Sequence, residues 1–273
     1  MSEEEWVTGN IGIRVNDVPV EFEITVPASP VKPQRMLPIF QQMANSFVDG
    51  GVAAAESEGK SISCKAGCGA CCRQPVPISE VEVYQIAELV DAMEEPRKAE
   101  IKQRFSDATA HFHSTGWYER FAEHTKEASS LRFEEGYPQG MALVMEYFAE
   151  GIPCPFLENE SCSIHQNRPV ACREYLVTSP AENCSNPTPF NIKMVELAVK
   201  PSRGLKNLGS ENSLSQIGFP VLSRALEIAE TYPDRFETKP GPAWVKDFFA
   251  ELMSSSGGRD ASSERAESAS ESA

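Results

Sequence analysis

The feature that most constrains this chain is the run Cys64-Lys65-Ala66-Gly67-Cys68-Gly69-Ala70-Cys71-Cys72, which holds four of the eight cysteines in 273 residues. The other four, Cys154, Cys162, Cys172 and Cys184, follow at intervals of 8, 10 and 12 residues. A chain of this length can bury a sizeable core unaided, so the thiols are not needed to staple a weak fold. The opening MSEEEW has neither the basic region nor the apolar stretch of a secretory signal. No apolar run is long enough to span a bilayer. The expected compartment is therefore the cytoplasm, where thiols stay reduced. Clustered cysteines in that setting point to metal binding or catalysis before disulfides. Unrelated core thiols would account for single cysteines but not for their clustering.

Ligands three and four residues apart can reach one metal centre from a short loop. Gly67 and Gly69 permit tight turns, and they let backbone amides approach the sulfurs, which stabilises thiolate charge and tunes a cluster. Lys65 and Arg73 are expected to favour thiolate over thiol. The second set is spread over Cys154-Pro-Phe-Leu, Cys162-Ser-Ile-His165, Arg168-Pro-Val-Ala-Cys172-Arg173 and Cys184. Such spacing fits a chain wrapped around a centre whose binding supplies part of the folding free energy.

Cys71 and Cys72 are adjacent, and adjacent residues on an extended chain face opposite ways. Either one of them is not a ligand, or the two serve different centres. Eight thiols can fill two four-thiolate sites, or one cluster with the remainder left for packing, a disulfide or chemistry. Zinc and iron–sulfur clusters both accept four thiolates. Structural zinc sites favour two paired C-x2-C knuckles, and this chain has one, from Cys68 to Cys71. An iron–sulfur cluster is therefore preferred as cofactor, with zinc, completed by His165, as the alternative.

At these residues the sequence resembles the YkgJ-type cysteine-cluster family, also described as a zinc- or iron-chelating domain. Its signature is a C-x-x-x-C-x-x-C-C cluster, here Cys64, Cys68, Cys71 and Cys72. A CPFL-like element follows, here Cys154 to Leu157, then a C-x-I-[YH]-x-x-R-P-x-x-C-R element, here Cys162 to Arg173, and a further cysteine, Cys184. The likeness spans about residues 60–190 and leaves both ends of the chain outside. It implies a cysteine-bound metal centre, often assigned as iron–sulfur, and little about reaction. A related cysteine pattern occurs in flagellin lysine methylases, which makes a cluster assisting protein modification a further lead.

Rival chemistries fit less well. Cys64-x3-Cys68-x2-Cys71 has the spacing of the radical-SAM signature, but Ala70 stands where an aromatic residue is usual, and no run of βα units follows. A cysteine nucleophile would need a histidine base. His111 and His113 are two apart on an expected helix and do not share a face. His165 is read as supporting the site from behind the ligands, because the resembling family allows Tyr there. Arg168 and Arg173 flank Cys172, either as structural salt bridges or as charge compensation for an anionic thiolate cluster. No carboxylate pair reads as catalytic, and whether the chain is an enzyme is left open.

The rest of the sequence frames this centre. Ile11, Ile13 and Val15, then Val20, Phe22 and Ile24, alternate about Asn16-Asp17 and predict an N-terminal β-hairpin. Phe40, Met43 and Phe47 put one apolar face on a helix from about Leu37, with Gly50-Gly51 as a candidate interruption. Ser79 and Glu82 predict a capping box. A helix is expected from Pro96 towards Ser130 with a break at Gly116, then short helices over 141–148, 220–231 and 242–253. Trp244, Phe248 and Leu252 stripe the last of these, and residues 154–189 read as irregular. The fold class is α+β, mainly α-helical with a small N-terminal β-hairpin and an irregular cysteine-rich metal-binding centre. The expected organisation is a hairpin over 1–30, a cysteine-cluster domain over 31–190, C-terminal helices over 191–253 and a disordered tail over 254–273.

A formal net charge of −15 repels phosphate backbones. The expected partners are therefore a protein or redox partner, with no nucleic acid and no membrane. The functions this reading supports are electron transfer, metal handling or protein modification, or else a zinc-stabilised interaction module without chemistry.

Overall fold

A computed structural model describes residues 5–15, 18–128, 133–188, 190–209 and 220–256. The protein is a mainly helical α+β fold whose core is laid down in neighbouring apolar clusters. Among the described residues no helix is long and apolar enough to cross a membrane.

The alternation read from the N-terminus forms β1 (Trp6–Val15) and β2 (Val18–Pro27), paired antiparallel with Ile11 opposite Phe22 and Ile13 opposite Val20. Paired residues share a face, so the apolar positions of both strands line one side. Ile24 and Val26 are buried there, with Ile11, Ile13 and Phe22 packed beside them. The Asn16-Asp17 turn lies outside the described residues.

That face rests on α1 (Leu37–Ser57) and α9 (Gly241–Ser256). Phe40 of α1 stacks on Phe248 of α9 with ring centroids 4.4 Å apart. The stripe Trp244, Phe248 and Leu252 is at most 1% exposed. The Trp244 indole N–H donates to the Val31 carbonyl at 2.8 Å, beside the short pairing of β3 (Pro30–Val31) with β6 (Lys239–Pro240).

The candidate interruption of α1 does not occur: the helix runs through Gly50 and Gly51. Gly51 is there for space. A Cβ on it would lie 2.5 Å from Leu197 Cδ2 and 3.0 Å from the Glu196 carbonyl. The segment around Val195 crosses α1 at this point, and it also pairs with the cysteine region, Val195 N–H donating to the Leu176 carbonyl at 2.8 Å.

The capping box forms as expected. Ser79 accepts from the Glu82 N–H, Glu82 accepts from the Ser79 N–H, and α2 (Glu80–Asp91) follows. The predicted long helix is two, α3 (Arg97–Ser114) and α4 (Trp117–Ala128), broken at Gly116. The helix expected at 141–148 is the last half of α5 (Phe133–Ala149), which starts earlier than the apolar residues suggest. The helix expected at 220–231 is a 3-10 turn at Leu222–Arg224 leading into α8 (Ala225–Thr231). Residues 254–256 of the expected tail finish α9, and 257–273 lie outside the described residues.

Candidate metal centre

All eight cysteines are free thiols, and all eight line one cavity of about 640 Å³. Residues up to 120 positions apart in sequence thus meet at one place, and short irregular elements bring them there.

The first cluster leaves α1 and turns at Gly67, whose φ of +81° is ready for glycine and costly for other residues. The Gly67 N–H donates to the Ser161 hydroxyl at 3.2 Å. Gly69 is needed for close approach, since a Cβ there would sit 2.5 Å from Glu160 Oε2 and 2.8 Å from Leu157 Cδ1. Ala70–Arg73 then form a 3-10 turn. The extended geometry assumed for Cys71 and Cys72 is therefore replaced. In a 3-10 turn successive side chains diverge by about 120° rather than 180°, which lets both line the same cavity. The Cys72 carbonyl receives the Cys154 N–H at 2.7 Å, joining the two cysteine regions directly.

Cys154 and Cys162 flank a small hairpin of β4 (Leu157–Glu158) and β5 (Ser161–Cys162). Its two loop residues, Asn159 and Glu160, have φ of 49° and 56°. Positive φ at both central positions is the conformation that matches strand twist in a tight hairpin. Glu160 lacks the side chain that makes this easy, but it is clamped. Arg73 donates to Glu160 Oε1 at 2.7 Å and to Oε2 at 3.0 Å, and to the Gly69 carbonyl at 3.0 Å. Arg73 thus spends its charge chiefly on Glu160 instead of favouring thiolates. On the other flank Glu158 accepts from Arg97 and Arg104 of α3, and Arg104 also donates to the Pro155 carbonyl.

Cys172 sits on the short helix α6 (Val170–Glu174), which is tied at three points. Glu82 Oε1 accepts the Val170 N–H at 2.8 Å. Glu174 accepts the Ser202 N–H at 2.7 Å and the Ser202 hydroxyl at 2.6 Å. Arg173, 5% exposed, donates to Asn45 Oδ1 on α1 at 3.0 Å, to the Arg168 carbonyl at 3.1 Å and to the Gln166 carbonyl. Cys184 lies on a 3-10 turn at Ala181–Ser185. The preceding segment is held against the first cluster. Ser63 N–H donates to the Val177 carbonyl at 2.9 Å, and Val177 N–H points at the Cys64 sulfur at 3.4 Å.

Burial dominates the electrostatics. It pushes Cys64, Cys162, Cys172 and Cys184 upward and Cys154 up to about 12. Cys71 is pushed up first by its hydrogen bond with the Cys72 thiol and then by burial. Arg168 opposes this at Cys64, Cys71 and Cys162. The thiolate charges that bear on Cys184 are those of Cys64, Cys68 and Cys71. Those that bear on Cys172 are Cys154, Cys71 and Cys162.

The three residues expected to support the site separate in role. Arg168 lines the cavity. Its Nε is buried and finds no hydrogen-bond acceptor among the described residues, and one Nη bonds His165 Nε2. His165 is pushed down by burial and by Arg168 and Arg173, and it meets the arginine rather than a sulfur. Arg173 braces backbone. Neither arginine forms an ion pair with a carboxylate among the described residues, so the structural salt-bridge reading does not hold. Elsewhere His111 pairs with Glu150, and His113 with Glu119 and Glu227, away from the thiols.

Residues 63–188 match the model of the CxxCxxCC family, described as "Putative zinc- or iron-chelating domain". No curated protein and no solved structure matches the chain. The CxxCxxCC match supports metal binding, with zinc or iron as the metal.

The residues present fit such a group. Eight thiols are a soft donor set suited to zinc or iron–sulfur clusters, and Arg168 presents a buried, unanswered donor and a positive charge to the same cavity. The histidine and the carboxylate on the wall are engaged, His165 by Arg168 and Glu160 by Arg73. Among the described residues no three His, Cys, Asp or Glu side chains are already drawn together as one ion requires. The thiols surround a space instead of converging on a point.

Sequence reading missed Glu82 as a brace for Cys172 and Glu160 as the clamp of the Cys162 hairpin. The Ser79-Glu82 spacing revealed only the cap. One carboxyl oxygen serves Ser79 and the other crosses to Val170, a pairing with no local signal.

Proposed function

We propose that this protein is a cysteine-ligated metal-binding protein whose centre is an iron–sulfur cluster, exchanging electrons with a protein partner or supporting modification of one. The observation that carries the reading is the convergence of all eight thiols on one cavity. The ligand set is drawn from Cys64, Cys68, Cys71, Cys72, Cys154, Cys162, Cys172 and Cys184. A single zinc ion gathers four donors at one point, whereas a cluster spreads its thiolates over several irons. Thiols set around a space favour the latter. With His165 turned to Arg168, the mixed cysteine–histidine zinc site loses its nitrogen donor. A bound cluster would supply one-electron chemistry. The chain's own part is to present thiolates, to balance their charge through Arg168 and to fix them with the braces on α6 and on the β4–β5 hairpin.

The test is an absorption spectrum of protein purified without oxygen, with iron, sulfide and zinc quantified on the same sample. A broad brown visible absorption with matching iron and sulfide is expected. Colourless protein with stoichiometric zinc would replace this reading with a zinc-stabilised interaction module. Cys64→Ser, Cys68→Ser and Cys71→Ser are each expected to lose metal and soluble yield. Full metal content with unchanged stability in these variants would overturn the ligand assignment.

A further inference from the structure

The eight thiols do not form one even shell. Cys64 and Cys68 pack with Cys184 in an apolar cluster of Ala70, Val177, Tyr175 and Ile192. Cys154 and Cys162 pack in a different cluster, with Phe156, Ile164 and Leu222. Backbone bonds repeat the division. Cys64 is tied to Val177, on the segment that leads to Cys184, whereas Cys154 and Cys162 are the ends of one hairpin unit. Cys172 belongs with the second group: Arg173 beside it donates to the Gln166 and Arg168 carbonyls and so ties α6 back to the segment that follows Cys162. The 3-10 turn carrying Cys71 and Cys72 touches both sets: Ala70 packs with Cys64, Cys68 and Cys184, and the Cys72 carbonyl receives the Cys154 N–H at 2.7 Å. Its two thiols are in hydrogen-bond contact and both line the cavity, so one turn presents two adjacent sulfurs where the two groups meet.

We propose that the cavity holds two tetrathiolate metal centres. One is built on Cys64, Cys68 and Cys184, the other on Cys154, Cys162 and Cys172, and Cys71 and Cys72 complete one each. This accounts for every cysteine with no spare thiol. It also gives the adjacent pair a reason: two neighbouring sulfurs crowd a single ion but link two centres side by side. Each centre takes zinc or an iron–sulfur cluster on four thiolates. The proposal rests on the metal-binding reading above and fixes the number of centres within it.

The experiment is native mass spectrometry of the full chain purified without oxygen, with metal and sulfide quantified, on the wild type and two double variants. These are Cys64→Ser/Cys184→Ser and Cys162→Ser/Cys172→Ser. Two equal metal increments are expected in the wild type, and each variant should keep one, at half the wild-type metal. A single increment in the wild type, or one variant emptied while the other stays full, overturns the two-centre division and leaves metal binding intact. Should either variant fail to fold, iodoacetamide labelling of the native wild type decides. Eight protected thiols with two increments support the proposal, and four protected thiols overturn it. A wild type with no metal and eight labelled thiols overturns the metal-binding reading itself.

Discussion

Glu82 Oε1 accepts the Val170 N–H at 2.8 Å, so a helix cap set early in the chain also starts the helix that carries Cys172. The carboxylate is 3% exposed and receives the Ser79 N–H and hydroxyl on its other oxygen. Glu82→Ala would leave buried donors without acceptors, at a cost of about 1–3 kcal/mol for an unsatisfied group. Because Val170 belongs to α6, the damage should reach the metal site. We expect Glu82→Ala to lower the urea midpoint and to speed metal loss to a chelator together. A stability loss with unchanged metal release would confine Glu82 to capping α2.

The two glycines in α1 should respond in opposite ways. Gly50 has nothing within 4 Å of a built Cβ, so Gly50→Ala should stabilise by about 0.5–1 kcal/mol through helix propensity. Gly51→Ala would press on Leu197 and on the Glu196 backbone, and overpacking of this kind costs about 1–3 kcal/mol. Chemical denaturation of the two variants checks the contrast. Equal effects would mean that the Val195 segment yields freely.

What was legible in the sequence follows from the range of the physics. Hairpin alternation, the Ser79-Glu82 cap and the Trp244-Phe248-Leu252 stripe are local, and each appears where its residues place it. Gly50-Gly51 misled because propensity marks glycine as a breaker, whereas here it makes room for a segment nearly 150 residues away. The arginines near Cys172 were legible as charge but not as geometry. Arg168 faces the cavity, and Arg173, five residues on, grips Asn45 and two carbonyls. The 3-10 turn at Cys71-Cys72 was also hidden, since its conformation is set by the clamp between Arg73 and Glu160 across 87 residues.

His113 should give the protein a measurable pH dependence near neutrality. Burial lowers its affinity for a proton, but the hydrogen bonds with Glu227 on α8 and Glu119 on α4 outweigh this, Arg224 notwithstanding, and the net shift is upward. A raised histidine contributes stability that is fully present below its unfolded value of about 6.5 and fades as pH rises through the folded value. The ring is part exposed, so the contribution should stay under about 1 kcal/mol. His113→Gln should therefore melt below the wild type at pH 6, and the two should converge at alkaline pH. A gap that persists unchanged at high pH would assign the difference to packing against Tyr118.

Arg168 separates charge balance from architecture. Its carbonyl accepts from Gln41 at 3.3 Å and from Arg173 at 3.1 Å, contacts that survive replacement of its side chain. What Arg168→Met removes is the cation beside Cys64, Cys71 and Cys162 and its contact with His165. Loss of an outer partner of this kind typically costs about 10–100-fold in metal affinity. We expect that range in a chelator competition at fixed pH, with Arg168→Lys recovering part of it, because lysine restores charge without the planar fork. The comparison is Arg97→Gln, which loosens the outer side of the hairpin but leaves the cation beside the thiols, and it should lower affinity less than Arg168→Met. Equal affinity in Arg168→Met and wild type would mean that the anionic centre is balanced from elsewhere. Equal losses in Arg168→Met and Arg97→Gln would point to the hairpin's docking rather than to charge.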